Sequence, residues 1–133
     1  MAKFKAVVLS PEVQTVTIEA YVPNRMSDGS LVHNHEHWVR LVESALCAAS
    51  GGGCTTYEAR GRWGGAYEHT TIVRAAVPQR RDSQDALIAV LGAFGVETKQ
   101  EVAGYTVDGV WWFVAPANAP DAHFSDYVPE VAR

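Results

Sequence analysis

Polar and apolar residues alternate from Val13 to Val22, with Val16, Ile18, Ala20 and Val22 on one side. Thr15, Thr17, Glu19 and Tyr21 fall on the other, which predicts a half-buried strand ended by Pro23. A polar loop with an Asp28-Gly29 turn signal follows. The period then changes. Trp38, Leu41, Val42, Ala45, Leu46 and Ala49 recur at helical spacing, with Asn34 as N-cap, Glu36 in the first turn and Gly51-Gly52-Gly53 as the stop. Cys54 to Trp63 and Glu68 to Val77 read as two strands joined at Gly64-Gly65, an antiparallel hairpin. Asp82 or Ser83 caps a second helix whose stripe is Leu87, Val90, Leu91 and Phe94, with Gly95 as its C-terminal glycine. Val96 to Val107 reads as a fourth strand carrying Gln100 and Glu101. An Asp108-Gly109 turn leads into a short fifth strand, Val110 to Val114.

Strand, helix, strand, strand, helix, strand is the split βαβ, or ferredoxin-like, order. It predicts an α+β sandwich: an antiparallel sheet, two helices on one face, and a short extra strand at the end. The other face is then open, and such mixed aromatic and polar faces are often covered by oligomerisation. The expected division is a ferredoxin-like catalytic domain over 1–115 and an extended C-terminal arm over 116–133, rich in proline and carrying Phe124, Tyr127 and Val128.

Composition narrows the functional classes. The chain has 133 residues, 47% hydrophobic and 20% charged, which suits one globular domain. A net charge of -4 with scattered basic residues argues against nonspecific nucleic-acid binding. No apolar run approaches the roughly 18 residues of a membrane span, and Ala6 to Leu9 is too short for a signal-peptide core. A cytoplasmic location is therefore expected. Two cysteines, Cys47 and Cys54, without CxxC or zinc spacing, favour free thiols over a disulfide.

The densest chemistry lies between Gly51 and Val77. Glu68 follows a Gly-Gly turn beside Tyr67, and a carboxylate against aromatic surface acquires an unusual pKa or faces a cation. Tyr57, across the hairpin, is close enough to share a site with it. Gln100 and Glu101 add an amide and an acid. The plainer reading is that all of these are exposed sheet residues. His33, His35 and His37 alternate at a loop-to-helix junction, where residues two apart do not share a helix face, so no metal site is expected there. The glycine triplet follows a helix and so lacks the helix N-terminus of a phosphate loop. No Ser-His-Asp or Cys-His set can be assigned from spacing.

These residues resemble the phage-encoded S-adenosylmethionine (SAM) lyases, earlier described as SAM hydrolases. The resemblance rests on the histidine-bearing start of the first helix (His35 to Val42), the strand with Thr55, Tyr57 and Gly61-Arg62-Trp63, the acid segment Glu68-His69-Thr70, and the strand with Gln100. It runs from about Val13 to Val114, while the C-terminal region is shorter than in some members. It implies ferredoxin-like subunits forming a homotrimer with interfacial sites. It also implies cleavage of SAM to 5′-methylthioadenosine and homoserine lactone, with no cofactor, metal, nucleic acid or membrane. The essential acid would fall on Glu68 and the site tyrosine on Tyr57, with Gln100, Glu101, Trp63 and Tyr67 binding substrate. The implied role is depletion of SAM in a bacterial host, which starves methyltransferases, including those of restriction systems. Two other classes fit the same pattern: a cofactor-free monooxygenase using His33, His35 and Trp38, and a small-molecule binding module without turnover.

Overall fold

The computed structural model describes residues 6–7, 14–63 and 65–117. Its elements are β1 (Thr15–Pro23), α1 (His35–Ser50), β2 (Thr55–Trp63), β3 (Ala66–Pro78), a 3-10 turn (Arg81–Gln84), α2 (Asp85–Glu97), β4 (Ala103–Val107) and β5 (Val110–Val114). The strands form one sheet in the order β2-β3-β1-β4-β5, and every neighbouring pair is antiparallel. This is the ferredoxin-like α+β architecture, extended by β5 at one edge.

Alternation builds the two faces. Ile18, Ala20 and Val22 of β1, Val73 and Val77 of β3 and Tyr105 of β4 are buried beneath the helices. The α1 stripe adds Trp38, Val42 and Leu46, and α2 adds Leu87, Leu91 and Phe94. Trp38 meets Phe94 edge-on, with ring centroids 5.5 Å apart, where the helices pack together. Tyr105 stacks on Trp112 and donates its hydroxyl to Gln84 Oε1 at 2.7 Å.

The opposite face carries Thr17, Glu19 and Tyr21, with the register partners Ala76, Arg74 and Ile72 on β3. Tyr57 lies opposite Ile72, Thr106 opposite Glu19, and Trp111 opposite Thr106. Trp111 packs on Tyr21 at 4.6 Å between centroids and stacks on Phe113 at 5.8 Å. Gly104 makes this possible. A Cβ there would stand 2.9 Å from Trp111 Cζ3, closer than real side chains approach.

The hairpin turns follow their residue types. Asp108 and Gly109 both have positive φ (48° and 82°), as a two-residue turn of the primed type requires. Asp108 also clamps the turn onto β1, because its Oδ1 accepts from Thr17 N–H at 2.7 Å.

Sequence expectations need correction at two places, the end of α2 and the helix caps. The fourth strand begins at Ala103, and the segment expected to open it is the end of α2 and a turn. Gly95 is not the helix stop. It lies within α2, where a Cβ would stand 3.3 Å from Pro116 Cα, so it serves close packing. The stop is Lys99, left-handed at φ 52°, with Gln100 N–H returning to Gly95 O at 3.0 Å. The second correction concerns caps. Asn34 occupies the N-cap of α1 without a side-chain cap bond, and α2 is preceded by the 3-10 turn instead of being capped by Asp82 or Ser83. Pro116 and Ala117, the first residues of the expected arm, pack on α2, and Ala117 N–H donates to Gly92 O. The remainder of that arm lies outside the described residues.

Candidate functional site

Glu68 sits on the open face near the hairpin end of β3, opposite Gly61. Glu68 is half-buried, and that burial pushes its pKa up, partly offset by the Arg25 guanidinium. Arg25 belongs to the loop after β1. Its Nη1 donates to Gly29 O at 2.7 Å, and its own carbonyl accepts from Gln100 Nε2 at 2.7 Å. Gln100 therefore reaches the Glu68 end of the sheet from the turn after α2, through Arg25. Glu101 lies on the exposed bend that follows.

Tyr57 shares the open face with Glu68 but lies four residues away along the hairpin register, about 13 Å at ordinary strand rise. Its hydroxyl donates to Glu19 Oε2 at 2.5 Å. That bond, followed by desolvation, pushes the phenol up to about 12. Glu19 thus holds the proton on Tyr57 and leaves the phenol oxygen as an acceptor toward a ligand.

Tyr67 pairs with Arg62 and so belongs to the helix-side face. The guanidinium carbons of Arg60 and Arg62 lie 4.7 Å and 5.6 Å from its ring centroid, cation–π contacts on an exposed hairpin. Trp63 pairs with Ala66 at the tip, and its side chain lies outside the described structure.

A cleft of about 240 Å³ opens near the start of α1, lined by Asn24, His35, Glu58, His69, Thr70 and Thr71. Ligand pockets commonly span roughly 300–1,000 Å³, so this cleft suits a fragment of a metabolite. His35 Nε2 lies 2.9 Å from Val22 O, an acceptor, so that nitrogen carries a proton. Asn24 Oδ1 and Thr70 Oγ1 are buried without a hydrogen-bond partner. Orphaned polar atoms are costly, so these two mark a strained polar spot beside the start of α1.

The residues that sequence reasoning missed are Glu19, Asn24, Arg25 and Glu58. Glu19 was visible as an open-face residue, but nothing in the spacing linked it to Tyr57. Asn24 and Arg25 reside in a loop whose path no periodicity reveals. Among the described residues, no group of three or more His, Cys, Asp or Glu side chains converges to hold a metal ion, and no helix is long and apolar enough to cross a membrane.

No protein-family model matches the sequence, and no curated protein does. Among solved structures, the chain is similar to a phage SAM lyase in complex with S-methyl-5′-thioadenosine. The match has 10% identity and a TM-score of 0.53 over 83% of this chain and 96% of that one. It shares the fold of that enzyme. A phage SAM lyase in the apo state aligns with a TM-score of 0.49 and 11% identity over 82% of this chain and 96% of that one.

Proposed function

We propose that this protein is a SAM lyase, cleaving S-adenosylmethionine to 5′-methylthioadenosine and homoserine lactone. The observation that carries the reading is Glu68: a half-buried carboxylate on the open sheet face, in a fold shared with such an enzyme.

The chemistry suits this inventory. The substrate brings its own leaving group, the sulfonium, and its own nucleophile, the methionyl carboxylate. Attack of a carboxylate oxygen on the γ-carbon forms a C–O bond and breaks the C–S bond. The electron pair passes to sulfur and leaves a neutral thioether. No proton is transferred, so no triad is needed. The protein has to fold the methionyl chain into the attack geometry and strip water from its carboxylate.

Glu68 acts as an orienting group for the ammonium. A carboxylate bound to the sulfonium alone would stabilise the substrate more than a transition state that is losing that charge. Tyr57 contributes an acceptor oxygen, and Gln100 fixes the Arg25 loop beside Glu68. Glu101 is a further candidate for binding substrate, while Tyr67, on the helix-side face, stands across the sheet from Glu68. The resemblance to the SAM lyases implies sites completed between protomers of a homotrimer, and Tyr57 and Glu68, about 13 Å apart along the hairpin, would then serve through such an interface. In a bacterial cytoplasm the reaction would deprive methyltransferases of their donor, with an anti-restriction effect during phage infection.

Mass spectrometry of SAM incubated with the purified protein tests the assignment. Methylthioadenosine together with homoserine lactone supports it. Homoserine from the first time points, without lactone, would make the enzyme a hydrolase, and intact SAM would leave a binding module. Full turnover by Glu68→Gln would remove the orienting role.

A further inference from the structure

Two side chains away from this site are placed to react with each other. Cys47 lies in the last turn of α1 and Cys54 immediately precedes β2, and their sulfurs are 2.9 Å apart. Both are free, half-buried thiols. The intervening turn is built to bring them together. Gly51 and Gly52 adopt φ of 83° and 143°, where L side chains are strained. Both of their N–H groups donate to Cys47 O, at 3.1 Å and 3.0 Å. Ser50 Oγ donates to Gly53 O at 2.8 Å and accepts from Gly53 N–H at 3.1 Å. These bonds hold the turn without help from the thiols, and a disulfide would draw the sulfurs from 2.9 Å to about 2.05 Å.

We propose that Cys47 and Cys54 form a redox-active dithiol that takes a two-electron oxidant, a peroxide or a low-molecular-weight disulfide, and closes an intramolecular disulfide. Each thiol gives up its hydrogen and one S–S bond forms. With hydrogen peroxide, the O–O bond breaks and both hydrogens leave in two molecules of water. With a small disulfide, its S–S bond breaks and two small thiols depart, the first after a mixed disulfide. Burial, with the neighbouring Cys47 adding to it, pushes the Cys54 thiol up to about 11. Cys54 is therefore a poor nucleophile at neutral pH and gains reactivity as pH rises. The bond ties β2, which among the described residues pairs only with β3, to α1. It reinforces the bond from Thr56 Oγ1 to Glu43 Oε2 at 2.5 Å, one register position before Tyr57.

The test uses the full chain in glutathione redox buffers and, separately, in dilute hydrogen peroxide, read by non-reducing peptide mass mapping and thermal melts. The expected product of both arms is a single linked Cys47–Cys54 peptide lacking two hydrogens, reversed by dithiothreitol. Its melting temperature rises by roughly 10 °C, from the entropy of closing a short loop. Cys54→Ser is expected to stop at a glutathione adduct on Cys47, and Cys47→Ser provides the mirror experiment if the first variant fails to fold. Retention of both thiols, an adduct as the end product in the unsubstituted chain, or links only between chains would overturn the proposal. None of these outcomes depends on SAM turnover, so this proposal and the lyase assignment stand or fall separately.

Discussion

The hydrogen bond from Tyr57 to Glu19 sets the polarity of Tyr57, and replacing Glu19 tests it. Glu19→Gln keeps an acceptor oxygen and removes the charge. The Tyr57 phenol stands at about 12 against an ordinary 10.0, with the Glu19 bond as the largest cause. Two units correspond to about 2.7 kcal/mol between the protonated and ionised forms. Tyr57 is 39% exposed, so solvent screening reduces the stability contribution to about 1 kcal/mol. In a domain of this size that is about 4 °C in melting temperature.

The sign follows from a raised pKa. The contribution is complete below the unfolded value near 10 and is lost as pH climbs through about 12. Tyrosine-ring NMR across alkaline pH is the assay, with the Tyr57 resonance identified by its disappearance in Tyr57→Phe. Glu19→Gln is expected to bring the midpoint down toward 10. Tyr57→Phe is expected to melt about 4 °C lower at neutral pH, with the difference shrinking above pH 10. A Tyr57 midpoint near 10 in the unsubstituted protein, or one unmoved by Glu19→Gln, would refute the assignment of its proton to Glu19.

Further expectations follow from the same structure. Phe94→Ala, at a fully buried ring between the helices, is expected to cost about 3–5 kcal/mol in urea unfolding. Lys99→Gly relieves a left-handed residue at the end of α2 and is expected to stabilise by roughly 0.5–1 kcal/mol in the same assay. If ionised Glu68 orients substrate, turnover should fall on acidification with a midpoint above the ordinary glutamate value, because burial raises that group. Stability runs the other way: a raised carboxyl favours the fold at low pH and loses that advantage as pH passes its folded value. Glu68→Gln is therefore expected to abolish turnover while melting no lower than the parent at neutral pH, as calorimetry would show.

Much of the architecture was legible because burial imposes a period. Thr15 to Pro23 alternates and α1 carries a stripe, and each pattern named its element. The end of α2 was misread because Gly95 has two uses. From sequence, a glycine after an apolar stripe looks like a stop, but Pro116, distant along the chain, is what it accommodates. The site was less legible. Glu68 and Tyr57 were recognisable as unusual residues, and a hairpin does bring their strands together. Register then decides which residues meet, and it places Ile72 opposite Tyr57 and Gly61 opposite Glu68. Arg25 enters through loop geometry and a backbone carbonyl bond to Gln100, neither of which leaves a periodic trace.

The contact between Gly104 and Trp111 has an evolutionary corollary. The two positions form a lock in which the bulk of one dictates the other, since a methyl group at 104 would lift the indole away from Tyr21. Drift at this place should thus be concerted. Lineages that trade the indole for a smaller ring become free to acquire alanine or serine at 104, and those that keep it stay confined to glycine.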